Sequence, residues 1–191
     1  MPRSLKGETS RVLLKRLRDS LAEPGKGQAR LDRIVKLIAS SMQAEVCSIY
    51  LKKDVGTLEL FATEGLKASA VHITTLKVGQ GLVGRIAQSS IAINTSNAPE
   101  TKGYRFMPET GEEIFPSFLG VPIQRLGEIL GVLIVQNSSS RKYNDDEVYG
   151  LEIIAMVIAE MTELGEFTEA SGDEIVAQHN HPATFKGIIG N

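Results

Sequence analysis

The chain has 191 residues, 21 Lys/Arg against 23 Asp/Glu, a formal net charge of −2 and 42% hydrophobic residues, which suits one globular domain with extensions. A single cysteine, Cys47, leaves no internal disulfide and no Cys-x-x-Cys metal or redox site. The longest apolar runs fall far short of the roughly 20 residues that cross a bilayer, no charged-then-apolar leader opens the chain, and a cytoplasmic location without membrane contact is the default expectation.

The charge is unevenly spread. Residues 1–30 hold Arg3, Lys6, Arg11, Lys15, Arg16, Arg18, Lys26 and Arg30 against Glu8, Asp19 and Glu23, so a basic arm precedes an acidic body. Without interleaved aromatics such a run is a solvated arm or a short partner helix rather than a nucleic-acid surface. Within it Val12, Leu13, Leu17 and Leu21 predict a short amphipathic helix, which Glu23-Pro24-Gly25-Lys26-Gly27 breaks. A second helix is expected over 28–44, with Leu31, Ile34, Val35, Ile38 and Met42 as its stripe.

The apolar period then shortens to two. Strands are expected over 45–53 and 57–63, around the turn Lys53-Asp54-Val55-Gly56. Cys47, Ile49 and Leu51 point one way, Val46, Ser48 and Tyr50 the other. Both sets are largely apolar, so the sheet is covered on both faces. A covered face with a few polar groups, here Ser48 and Tyr50, suits a small-molecule pocket. A short extended approach over 75–78, a short helix over 82–89 and a short strand over 91–94 follow. Residues 95–113 form a long loop punctuated by Pro99, Gly103, Pro108 and Gly111, of the kind used as lids and binding loops. A second hairpin spans 117–124 and 128–137. The last helix has Asn144 and Glu147 placed for a capping box. Its stripe is Val148, Leu151, Ile154, Ala155, Ile158 and Met161, and Ile153, Met156 and Val157 on the opposite side call for a second packing partner. The order of elements is α+β, with an antiparallel sheet and helices on its faces.

Gly79-Gln80-Gly81-Leu82-Val83-Gly84 matches the G-x-G-x-x-G string of dinucleotide-binding turns. The string needs an apolar strand before it and an acidic residue at the end of a parallel strand about 20 residues on. The approach His72–Val78 is too polar for a central parallel strand. Glu100 sits at the right distance but in a loop. The preferred reading is that Gly79 and Gly81 turn the chain, and Gly84 lets the helix lie close to the sheet. The glycines then shape a site without touching its ligand. A nucleotide enzyme stays as a third alternative.

Three blocks in this order resemble GAF domains: Leu76–Gly84; Ser117–Ile123 with Gly131–Val135; and Tyr143–Val148 leading into the final helix. A narrower resemblance is to the GAF domains that open nitrogen-branch phosphoenolpyruvate-protein phosphotransferases, enzyme I of the nitrogen phosphotransferase system. It rests on Ala44–Ser48, Pro108–Glu113 and Ala155–Met161. The arm Arg11–Gly25 resembles alphaproteobacterial members, and Pro182–Ile188 resembles the lead into their next domain. The resemblance implies long N- and C-terminal helices on one face of the sheet and a cap of loop and short helix over a pocket on the other. It divides the chain into a basic arm (1–27), a GAF domain (28–165) and a linker (166–191) toward a phosphotransfer domain that lies outside this chain. It implies no catalytic residue and no cofactor in this fragment; magnesium and a downstream phosphocarrier protein belong to the full-length enzymes.

The function so implied is sensing of nitrogen status, with glutamine or 2-oxoglutarate controlling autophosphorylation. A pocket for an amino acid or 2-oxo acid needs partners for each polar group it buries. Arg105 suits a carboxylate. Glu109, Glu112 or Glu113 suits an ammonium. Ser48, Tyr50, Thr63, Asn94 and Gln136 are polar residues on or beside strands, and Phe61, Phe106 and Phe118 are candidate walls. The rival reading is a homodimerisation module without ligand, resting on Leu31, Ile34, Ile153, Met156 and Val157. His72, His179 and His181 read as surface histidines with no metal-site partners. Cys47, within a strand, reads as a structural thiol. GAF-type methionine sulfoxide reductases use several cysteines, so one alone argues against that activity.

Overall fold

The computed structural model of the chain describes residues 8–25, 27–107 and 114–165. The expected linker over 166–191 and part of the long loop lie outside these residues. Among the described residues there are four α-helices, six strands and two 3-10 turns. The helices are α1 (Glu8–Ala22), α2 (Gly27–Met42), α3 (Gly81–Ser89) and α4 (Asp145–Glu163). The strands are β1 (Val46–Asp54), β2 (Thr57–Glu64), β3 (Thr75–Lys77), β4 (Ile93–Thr95), β5 (Ser117–Arg125) and β6 (Glu128–Asn137).

The strands form one sheet in the order β3-β2-β1-β6-β5-β4, and every neighbouring pair is antiparallel. Side chains alternate between its two faces, so two cores form. Cys47, Ile49, Leu51, Leu119, Val121, Leu133 and Val135 pack with α1, α2 and α4. Tyr50, Leu58, Leu60, Phe118, Val132 and Ile134 pack with Leu82, Val83 and Ile86 of α3. Burial on both faces explains why the central strands read as nearly continuous apolar runs.

The sequence places α1 in an arm ahead of the domain, yet Leu13 and Leu17 are buried in the helix-side core. Arg16 donates to the Ser40 and Ser41 hydroxyls at the end of α2, and Arg30, near the start of α2, donates to the Leu21 carbonyl. The two helices therefore run antiparallel as a hairpin in which α2 lies on the sheet and α1 packs across α2 and α4. The Ser10 hydroxyl donates to the Asp146 carbonyl at the opposite helix, α4. The basic side chains of α1 face outward while its apolar stripe closes the core.

The glycine stretch is a turn. Gly79 and Gly81 both have positive φ, +87° and +67°, a region open to glycine and strained for a residue with a Cβ. The Gly79 N–H donates to the Gly84 carbonyl at 2.7 Å, so it is spent inside the turn. A Cβ on Gly84 would lie 2.4 Å from the Lys77 carbonyl oxygen, which is why α3 can approach β3 so closely.

The loop expected over 95–113 is partly built. A 3-10 turn covers Ala98–Glu100, Ala98 is fully buried, and its N–H donates to the Pro116 carbonyl at 2.8 Å. The long final helix carries its expected core face but only part of the second one. Leu151, Ile154, Ala155 and Ile158 are buried, while Tyr149, Ile153 and Met156 are exposed. Val157 is half-buried against the core, and Leu31 and Ile34, expected with them at an interface, are buried in the helix-side core of the single chain.

Candidate functional site

On the face opposite the long helices, α3 and the segment before residue 108 roof a small cavity. Its floor is Tyr50 of β1, Phe118 of β5, and Ile134 and Gln136 of β6. Its roof is Gly81, Leu82 and Val83 of α3 with Tyr104, Arg105 and Met107. Leu66 and Leu76 close one end. The strand residues converge because β1, β5 and β6 are neighbours in register. Ser48 stands opposite Ile134 and Tyr50 opposite Val132, while Phe118 stands opposite Gln136.

The cavity is about 40 Å³. At roughly 10–15 Å³ per water, that holds a few waters and falls well below the roughly 300 Å³ of a pocket enclosing a small ligand. An amino acid enters only if the roof lifts. The roof is held at identifiable points. The Arg85 guanidinium of α3 donates to the Lys102 carbonyl, and the Tyr104 N–H donates to the Thr101 carbonyl at 2.9 Å. A Cβ on Gly120 would lie 2.4 Å from Ile86 Cδ1, so glycine at that strand position lets α3 sit down on the sheet.

Of the residues singled out from sequence, Tyr50, Arg105, Phe118 and Gln136 come together at this cavity. Arg105 is exposed at the rim and Gln136 is buried beneath it. Ser48 is fully buried on the same face, but its hydroxyl pairs with that of Thr63 at 2.8 Å, so the two satisfy each other away from the cavity. Phe61 does not wall the cavity. Ile49 pairs with Ala62 and Tyr50 with Leu60, which leaves Phe61 as the extra residue of a bulge. It packs instead against the helix-side core. Asn94 also faces the helix side, opposite Leu119. Its amide donates to the Tyr143 carbonyl at 2.8 Å and its oxygen accepts the Tyr143 N–H at 3.2 Å. Asn94 is thus a structural clasp. Phe106 is exposed and outside the cavity lining. Glu109, Glu112 and Glu113 lie outside the described residues.

Sequence reasoning did not single out Leu66, Leu76, Tyr104, Met107 or Ile134 as cavity residues. Ile134 had a usable signal, since it lies two residues before Gln136 and shares its face. Leu66 and Leu76 had none, because they reach the cavity from a connector and from the short edge strand β3, whose paths only the fold decides. Gly81 also lines the cavity, so the glycine stretch contributes to its wall as well as to the turn.

The rim of the sheet links this site to the helices. Next to Gln136, Asn137 accepts the Tyr143 hydroxyl at 2.6 Å and donates to the Gln43 carbonyl at 2.7 Å. Arg141 lies over the Tyr143 ring at 4.1 Å and donates to Glu147 at 2.9 Å and to the Met42 carbonyl at 2.9 Å. Burial pushes the Tyr143 phenol up and keeps it neutral, against the pull of Arg141. The end of α2 and the start of α4 are therefore fastened to the strand that floors the cavity. Burial also pushes the Cys47 thiol up, so this buried cysteine is held as an inert thiol. Among the described residues no cluster of His, Cys, Asp and Glu is arranged to hold a metal ion.

The family model of the GAF domain matches residues 27–160. A curated relative from Escherichia coli (strain K12), "Phosphoenolpyruvate-dependent phosphotransferase system", is 33% identical over 164 residues, which is 84% of this chain and 22% of the relative. A Nif-specific regulatory protein from Herbaspirillum seropedicae is 28% identical over 141 residues, 70% of this chain and 26% of that protein. The solved GAF domain of a phosphoenolpyruvate-protein phosphotransferase from Coxiella burnetii is 32% identical with a TM-score of 0.74, covering 82% of this chain and 98% of that one. The chain thus spans about a quarter of the length of the curated relatives it matches.

Proposed function

The chain belongs to the GAF domain family, and from that premise we propose that it is a regulatory module that reads a small polar metabolite in the cavity beneath α3. The observation that carries this reading is the convergence of Arg105 at the rim with Gln136 and Tyr50 beneath it, inside walls that are otherwise apolar. That is the composition of a small-molecule site: apolar walls for affinity and a few polar groups for orientation. Arg105 suits a carboxylate in bidentate fashion, and the Gln136 amide suits an amide or carbonyl group. Glutamine and 2-oxoglutarate, an amino acid and a 2-oxo acid, both present such groups.

Binding would lift α3 and the 101–107 segment. The strain would reach α2 and α4 through Asn137, Tyr143 and Arg141. In a longer protein of the kind its relatives represent, those helices would set the activity of phosphotransfer domains, with control of autophosphorylation as the output. Magnesium and the phosphocarrier partner would belong to those domains, and the assembly would work in the cytoplasm. A ligand shifts such an equilibrium only as far as its affinities for the two arrangements differ.

Calorimetry of the purified chain with glutamine and with 2-oxoglutarate tests the reading. One of the two is expected to bind, with Gln136→Leu and Arg105→Ala each weakening it about tenfold. Absence of both heat and thermal stabilisation with either compound would remove the sensing function as stated. A second reading, a homodimerisation module that binds nothing, is favoured by the exposed stripe Tyr149, Ile153 and Met156 on α4 and by the small cavity.

A further inference from the structure

Between β2 and β3 the chain crosses the sheet edge as a connector over residues 65–74, and its one histidine is bonded on both ring nitrogens. His72 Nδ1 lies 2.9 Å from a Glu59 carboxylate oxygen, and Nε2 lies 2.9 Å from Gln28 Oε1. The orientation of the Gln28 amide is fixed independently. Its Nε2 donates to Asp32 Oδ1 at 2.8 Å and to the Phe61 carbonyl at 2.7 Å. Both partners only accept, so turning the amide over would set oxygen against oxygen twice. Gln28 therefore presents an acceptor to the histidine, as Glu59 does. A neutral imidazole has a single N–H and satisfies one such partner; imidazolium satisfies both.

Charged groups surround the pair. Glu59 is buried on β2 and also takes the Lys53 ammonium of β1 at 2.6 Å. Burial works to raise the Glu59 carboxyl, but the hydrogen bonds from Lys53 and His72 outweigh it and hold the group below its ordinary range. Asp32 and Lys36 of α2 and Glu64 of β2 face the same groove. The Phe61 ring meets the imidazole edge-on with centroids 4.9 Å apart.

We propose that His72 is a proton-controlled latch. Charged, it ties the 65–74 connector to β2 through Glu59 and to the first turn of α2 through Gln28. Neutral, it gives up one of the two ties. The connector carries Leu66, which borders both this groove and the cavity on the other side. Loss of a tie thus loosens one wall of the cavity. His72 holds a positive φ of +62°, and its N–H donates to the Leu60 carbonyl at 2.8 Å, so the ring is delivered to its partners by a constrained backbone. The latch belongs to the unliganded protein and stands whether or not the cavity takes a metabolite.

The test is nuclear magnetic resonance on the full chain without ligand. The His72 ring nitrogens are followed from about pH 5.5 to about pH 8.5, the window in which histidine changes charge, together with amide hydrogen exchange corrected for its intrinsic pH dependence. Expected are two protonated ring nitrogens at the acid end. Exchange in the connector should rise about tenfold in step with loss of a ring proton, while the central strands stay protected. Glu59→Gln, which keeps the shape and removes the charge, should move both changes to lower pH. His72→Asn, a residue tolerated at positive φ, should make connector exchange fast and independent of pH. A ring that stays in one neutral tautomer throughout, connector exchange that ignores the ring's ionisation, or a pH step that survives in His72→Asn would each overturn the latch.

Discussion

Gly84 shows how one missing carbon positions the cap. With a Cβ 2.4 Å from the Lys77 carbonyl oxygen, Gly84→Ala pushes α3 off β3, because the atom in the way is backbone and has no rotamer to change. Overpacking of this kind costs about 1–3 kcal/mol, offset in part by the roughly 1 kcal/mol that alanine gains over glycine inside a helix. A net loss in urea denaturation is expected, with no change in the slope of the transition. A neutral or stabilising outcome would show that α3 is free to shift. At this scale the glycine string was legible, because a phosphate cradle makes demands on its flanks that these flanks do not meet. Phe61 was not. Strict alternation places it by counting from the turn, and one bulge residue moves it to the other face. Asn94 misled for a related reason: a polar residue on a short strand looks the same whether it serves a ligand or a backbone clasp.

The longest element, α4, shows which interactions are local enough to be read. Asn144 Oδ1 accepts the Glu147 N–H at 3.0 Å, and Glu147 Oε2 accepts the Asn144 N–H at 2.8 Å, which is the capping box expected from the spacing. Asp145, Asp146 and Glu147 also place negative charge at the positive end of the helix. Asn144→Ala removes one half of the box and should cost about 1 kcal/mol in denaturant midpoint analysis. A cost indistinguishable from zero would mean that Arg141, bonded to Glu147 and to the Met42 carbonyl, holds the helix start unaided. Helices and hairpins were legible since their periods and turn residues lie within a few positions of one another. The role of α1 was not, because four apolar residues among basic ones suit a free amphipathic arm and a core helix equally. The cavity was half legible for the same reason. Its strand residues share a face by counting, whereas Leu66, Leu76 and the roof reach it from distant parts of the chain.

At the scale of the molecule, the sheet divides the side packed by the long helices from the side that holds the cavity, and the helix side has apolar surface left over. Helices α2 and α4 cover one face with α1 packed across them, and α4 then turns Tyr149, Ile153 and Met156 outward at 61%, 43% and 64% exposure. These positions fall three or four apart, so they form one stripe. Water against that stripe is unfavourable by about 25 cal/mol per Å² of apolar surface, and a second copy aligned along α4 would remove it. We therefore expect the chain to sediment as a dimer at micromolar concentration. Met156→Glu tests this cleanly because the residue is mostly exposed in the monomer. The substitution should leave fold stability within about 0.5 kcal/mol while placing two carboxylates against each other across a twofold interface. Loss of the dimer with an unchanged thermal transition is the expected result. A wild-type monomer, or a variant that stays dimeric, would exclude this stripe as the interface. The same pair of measurements bears on signalling. If binding of glutamine or 2-oxoglutarate changes the dimer constant, cavity and α4 stripe are coupled, and linkage then requires the dimer to bind that ligand with a different affinity from the monomeric Met156→Glu variant.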